Sequence, residues 1–180
     1  MTSARTLEQR LARLEDIEAI RTLVARYGFA IDDRDLAAVG ELFTHDGRFR
    51  SRDGVMDASG RAAVLAQFEG RFAALGPTNH FTHDHLVWLD KASPDRARGL
   101  VSSHAEVVRN DRPMVVALRY EDGYRREDGA WRFADRLLSF LYYVDVREYA
   151  DVIRTQLRMR AYDRPAPADY PEGLDTWRRQ

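Results

Sequence analysis

The stretch "NHFTHDH", residues 79 to 85, holds three of the chain's five histidines within six positions, with an aspartate between two of them. Imidazole exchanges protons near neutral pH and also ligates metals, so these residue types suit either general-base chemistry or a metal site. Alternate side chains of a strand share a face. This predicts that His80, Thr82, Asp84 and Leu86 point one way and that Phe81, His83, His85 and Val87 point the other. His83 and His85 would then form a two-imidazole motif, for which only His45 or an unidentified carboxylate could supply a third ligand. The ligand count falls short, so no metal is expected. His83 and His85 are assigned instead to a polar outer face or a subunit contact, and His45, beside Asp46 and Gly47 in a turn signal, to water.

His80 and His104 each fall on a strand expected in the sheet's interior, with side chains directed into a cavity between sheet and helices. The plainer role for either is a hydrogen-bonded core histidine. A partner comes from "RYGFAIDDRD", residues 26 to 35, where two consecutive carboxylates close a long apolar helix and a third follows. Asp35 reads as a helix cap and Asp33 as solvated. Asp32 follows the apolar stripe and is expected to project inward, where a histidine would offset its desolvation. A carboxylate on one imidazole nitrogen fixes which nitrogen faces a substrate and stabilises the imidazolium once formed. Such a dyad suits removal of a carbon-bound proton beside an activating group, with loss of a leaving group from the neighbouring carbon.

The elements that must position these groups follow from periodicity. Leu7, Leu11, Leu14, Ile17, Ile20, Val24, Tyr27 and Ile31 recur every three or four residues, predicting an amphipathic helix over about 6–31. Asp35 caps a second, short helix, "HDG" at 45 to 47 reads as its exit turn, and a short strand "RFRS" follows. Ser59 is expected to cap a third helix that ends before "GP". Strand periodicity then predicts strands near 80–89, 97–109, 114–126 and 130–144, separated by turn signals. Helices followed by a meander argue for an α+β domain with helices on one face of a curved antiparallel sheet. The domain is placed at 1–145. Residues 146–180 form a helical, then Pro-rich, extension that could act as a lid. Phe29, Phe43, Phe49, Phe68, Phe72, Trp88, Phe140 and Tyr142 are available to line a pocket or fill the core.

Composition narrows the classes. The 180 residues are 44% hydrophobic, enough for one sizeable core, and 28 basic against 29 acidic residues give a net charge of -1. No positive surplus favours nucleic acid. "MTSARTLEQRLARLED" shows no apolar signal core and no apolar run spans a bilayer, so a cytoplasmic protein without membrane partners is expected. The absence of cysteine removes disulfides and thiol nucleophiles. With no phosphate-binding glycine loop and no G-x-S-x-G elbow, nucleotide-dependent and covalent hydrolase mechanisms find no support, and proton abstraction by an imidazole requires no redox cofactor, so none is expected.

The segments "RYGFAIDDRDLAAVGELFTHDGRF", "TNHF" and "YEDGYRREDGAWRFADR" make residues 8–143 resemble the SnoaL-like branch of the nuclear transport factor 2-like superfamily. The resemblance implies helices on a strongly bent sheet that forms a cone with an internal pocket. Within that branch the pattern is similar to scytalone dehydratase, bile-acid 7α-dehydratase and hexachlorocyclohexane dehydrochlorinase. By position it implies Asp32 as orienting aspartate, His80 as general base, Tyr27 as the tyrosine preceding the aspartate, His104 as a second histidine, and Arg136 as a cationic residue. The expected activity is a cofactor-independent lyase, of dehydratase or dehydrohalogenase type, on a small hydrophobic cyclic substrate. The alternatives are an isomerase or polyketide-type cyclase with the same base, or the non-catalytic small subunit of a ring-hydroxylating oxygenase. A homodimer or homotrimer built on the sheet's outer face is expected.

Overall fold

A computed structural model describes residues 6–178; residues 1–5 and 179–180 of the two expected segments lie outside the described residues. The first helix, α1 (Leu7–Asp32), is nucleated by a capping box in which Thr6 and Gln9 satisfy each other's backbone N–H groups. Its apolar stripe is buried from Ile20 onward, whereas Leu7, Leu11 and Leu14 stand in solvent. Helix α2 (Leu36–Leu42) starts at Asp35, whose carboxylate accepts from the Ala38 N–H at 2.9 Å, as expected of a cap.

Two local readings are corrected by the strands that follow. "HDG" is not an exit turn but part of β1 (Phe43–Ser51), which carries a bulge between Phe43 and Arg48. Gly47 allows that bulge, because an added Cβ would meet the Phe133 and Thr44 carbonyl oxygens at 3.0 Å. Ser59 ends a short strand, β2 (Asp57–Ser59), and Gly60 (φ 87°) occupies the N-cap of α3 (Arg61–Ala74) without a side-chain bond.

Four long strands complete the sheet: β3 (Leu75–Leu89), β4 (Arg96–Arg109), β5 (Arg112–Glu127) and β6 (Ala130–Asp145). The tight connections Asn110–Asp111 and Asp128–Gly129 place both residues at positive φ, the conformation that matches the twist of a two-residue hairpin. The strand order is β2-β1-β6-β5-β4-β3. All neighbours are antiparallel except β1 and β6, which are parallel, so the sheet is mixed rather than purely antiparallel. β3 lies at an edge, which is why it tolerates Pro77. The helices pack on one face, and the main core fills the space between.

The C-terminal segment is far less helical than its sequence suggests. Only α4 (Tyr149–Val152) and α5 (Asp175–Arg178) are α-helical in it. Beyond Leu138, where β1 ends, the free edge of β6 is taken up by this segment: Tyr143 exchanges backbone bonds with Arg158 and Arg160, the Asp169 N–H donates to the Phe140 carbonyl, and the Phe140 N–H donates to the Asp169 carboxylate. Buried Arg158 holds the segment together by donating to the carbonyls of Leu141, Thr155 and Tyr170 and to the Glu172 carboxylate. Met159 is buried in the main core. These tertiary bonds outweigh the helical propensity of "REYADVIRTQLRMRAY".

Candidate active site

The end of α1 and the start of β3 are brought together at Arg34, whose positive φ (57°) turns the chain and whose guanidinium donates to the Phe72, Leu75 and Gly76 carbonyls. Gly28 of α1 packs against His80, where an added Cβ would make an ordinary contact of 3.7 Å with the His80 Cβ. Asp32 thereby faces β3 and accepts three bonds. The His80 Nδ1 lies 2.6 Å from Oδ1, the His80 backbone N–H donates to Oδ2 at 2.8 Å, and the Thr78 hydroxyl donates to Oδ1 at 2.7 Å. Burial alone would raise the Asp32 pKa, but the bonds from His80 and Thr78 outweigh it and hold the carboxyl below its ordinary range. An ionised Asp32 fixes the Nδ1–H tautomer, which leaves His80 Nε2 as the nitrogen able to take a proton. Thr78 stands two residues before His80 on the same strand face, so the alternation already used for the histidines is the signal that finds it.

The expected set of site residues comes together only in part. Tyr27 and His80 line the same internal cavity. Burial and the neighbouring Tyr120 push the Tyr27 hydroxyl well above the usual tyrosine range, so it stays a donor. Arg136 is fully buried, with its guanidinium 3.9 to 4.2 Å from the ring centroids of Tyr120, Tyr27 and Phe133. It pairs with buried Asp122 through Nε–Oδ1 at 3.0 Å and Nη2–Oδ2 at 3.1 Å. Burial pushes Asp122 toward the neutral form, but Arg136 keeps its proton, and a neutral partner would leave that cation uncompensated in the core; the pair is ionised.

His104 does not face the cavity. Its Cα pairs with Phe81, not His80, so it projects from the opposite, outer face, where its Nδ1 lies 2.9 Å from His83 Nε2. His85 is also displaced from its expected face. Between Thr82 and His85 a bulge sets His83 and Asp84 against Ser102 alone, and both are exposed. One extra residue reverses the alternation. His85 therefore turns inward, with Nε2 3.1 Å from the Tyr124 hydroxyl, which donates to Asp122 at 2.8 Å. Gly99 makes room, because a Cβ there would sit 2.7 Å from the Tyr124 oxygen and 3.1 Å from His85 Nε2. The two-imidazole motif of His83 and His85 is thus split between faces, and no cluster of three potential metal ligands occurs among the described residues. Phe29 and Trp88 are exposed and Tyr142 packs in a separate cluster, so these three do not line the interior.

The internal cavity between helices and sheet is small, about 30 Å³, with Tyr27, Phe68, Phe72, His80, Tyr120 and Tyr143 among its walls. That is room for about one or two waters. No helix among the described residues is long and apolar enough to cross a membrane.

Residues 12–137 match the SnoaL-like domain. The chain belongs to that family. A search of curated proteins gave no match. Among solved structures, this SnoaL-like chain superposes on LinA with a TM-score of 0.69 at 20% identity, over 76% of this chain and 93% of that one. A scytalone dehydratase-like protein from Novosphingobium aromaticivorans DSM 12444 superposes at 0.67 and 21% identity, over 74% and 89%. Rv3472 of Mycobacterium tuberculosis, a protein of unknown function, superposes at 0.65 and 24% identity, over 82% of each chain. At these identities the likeness is one of fold: helices on a bent sheet, as the sequence resemblance implied.

Proposed function

We propose that this SnoaL-like protein is a cofactor-independent lyase in which Asp32 and His80 act as an orienting carboxylate and a general base. The observation that carries this reading is the 2.6 Å contact between His80 Nδ1 and Asp32, which commits one imidazole nitrogen and frees the other. His80 Nε2 takes a proton from a carbon next to an activating group. The C–H electron pair becomes the new C=C bond as the leaving group departs from the adjacent carbon. A halide leaves as the anion, and the imidazolium returns its proton to solvent. A hydroxyl leaves as water, carrying the proton from the imidazolium. Asp32 stabilises the imidazolium throughout, and general acid–base steps of this kind contribute roughly 10²- to 10⁴-fold.

Tyr27, kept protonated by burial, is the donor for developing negative charge, and Arg136 acts through Tyr27 as a positioning residue. The substrate in this reading is a small hydrophobic ring bearing a hydroxyl or halogen; LinA is named a hexachlorocyclohexane dehydrochlorinase, which lends the halogenated class support. The C-terminal extension serves as a lid, with Met159 packed in the core beside Tyr143, a residue of the cavity wall. The outer sheet face, with exposed Phe81, Leu86 and Trp88, is the surface for a homodimer or homotrimer.

The test is a mass-spectrometric screen of the purified protein against hydroxylated and chlorinated cyclic compounds. Elimination predicts a product lighter by water or hydrogen chloride. A product of unchanged mass moves the assignment to isomerisation or cyclisation, which begins with the same proton abstraction.

A further inference from the structure

Two guanidiniums stand at one end of the interior cavity, beneath the C-terminal segment, with no carboxylate to pair with. Arg71, in the last turn of α3, is part of the cavity wall beside Phe72 and Tyr143. Its Nη1 donates to the Met56 thioether sulfur, a weak acceptor. Arg109 ends β4 on the same strand face as Ala105 and Val107, both of which line the cavity. Its Nε is buried and has no hydrogen-bond partner among the described residues. Neither arginine takes part in an ion pair among those residues, whereas Arg136, deeper in the core, is neutralised by Asp122. The charges of both act on the Tyr143 hydroxyl, and that of Arg109 also on Tyr162 of the C-terminal segment, which is where this segment closes over the cavity. A cation partly withdrawn from water with donors unfilled is a site that a bound anion stabilises.

We propose that Arg71 and Arg109 form an anion subsite for a carboxylate on the substrate, which makes that substrate a hydroxylated or halogenated ring acid. The proposal rests on Asp32 and His80 being the reactive centre. Ala105, the cross-strand partner of His80, lies four residues from Arg109 on β4, about 13 Å at the ordinary strand rise. The His80 and Arg109 side chains reach across part of that distance, and one or two fused rings with a carboxylate at the far end span the rest. The cavity as it stands is about 30 Å³ and Met159 packs beside Tyr143, so the ring enters as the lid lifts. The lid's return then shields the contacts between carboxylate and guanidinium from water, which strengthens them.

The experiment is a ¹H–¹⁵N NMR titration of the full chain with 2-naphthoate and, separately, with its uncharged analogue 2-naphthalenemethanol. The expected result is saturable binding of 2-naphthoate about tenfold or more tighter than that of the alcohol, the worth of one hydrogen bond to a charged group, with shifts centred on Arg71, Arg109 and Tyr143. Arg71→Met and Arg109→Met should each weaken 2-naphthoate by about tenfold or more and leave the alcohol unchanged. Arg71 is partly exposed on α3, so its replacement leaves the core intact. Equal affinity for acid and alcohol, unchanged 2-naphthoate affinity in either variant, or the absence of saturable binding would overturn the proposal. Shifts centred on Arg98 and Arg119 would move the anion to the groove on the outer sheet face and overturn it equally. Binding is read without turnover, so the two readings fail separately. If 2-naphthoate binds through the arginines while the screen finds no elimination product, the lyase alone is lost; elimination confined to uncharged rings removes the subsite alone.

Discussion

Arg136 and Asp122 form a bidentate ion pair from which solvent is wholly excluded, with the guanidinium stacked among three aromatic rings. Arg136 Nη1 is buried with no hydrogen-bond partner among the described residues, so the pair is incompletely satisfied. Removing one partner strands the other charge. Arg136→Met should therefore cost about 3–5 kcal/mol in urea unfolding, whereas Arg136→Met combined with Asp122→Leu should recover much of that loss. A double variant as unstable as the single would show that the pair's value lies in its packing.

His85 gives the fold an acid-sensitive component. Burial, with Arg136 and Arg21 adding repulsion, lowers its pKa from 6.5 to about 4. The unfolded chain then binds a proton at a higher pH than the folded one, so stability falls as pH drops from about 6.5 to about 4. His85→Gln should flatten the unfolding free energy across that window. Asp32 acts elsewhere: its carboxyl is held below the ordinary 3.8, so its contribution is lost only at lower pH.

Much of this was legible from spacing. The α1 stripe, the Asp35 cap and the hairpin turns follow local rules; spacing turned Asp32 inward toward a histidine, and the family resemblance chose His80 over His104. The faces of His85 and His104 were not legible, because they depend on a bulge opposite Ser102 and on cross-strand register. Register is set by tertiary pairing, and a slip of one residue inverts every subsequent side chain. Arg136 was placed by resemblance, but its partner Asp122 lies on another strand and left no local trace. The C-terminal segment misled for a related reason: its course is set by Arg158 and the open edge of β6 rather than by propensity.

The extension offers a direct test of the lid. Truncation before Val146 removes Met159 from the core and uncovers the β6 edge, so the melting temperature should fall and the Michaelis constant should rise. Steady-state kinetics on the substrate found by the screen measure this. Unchanged KM and kcat would exclude a lid.

Asp32→Asn should keep the side-chain shape but lose the charge that fixes the tautomer and stabilises the imidazolium. We expect kcat to fall on the order of 10²-fold with KM little changed, and the acidic limb of the pH–rate profile to move. A rise in KM alone would make Asp32 a binding group.

The most direct measurement compares the unmodified protein with His80→Gln on the same substrate, with circular-dichroism melting as a check on folding. The account predicts loss of at least about 10²-fold in kcat in a variant that still folds. Full turnover by a folded His80→Gln protein would contradict it.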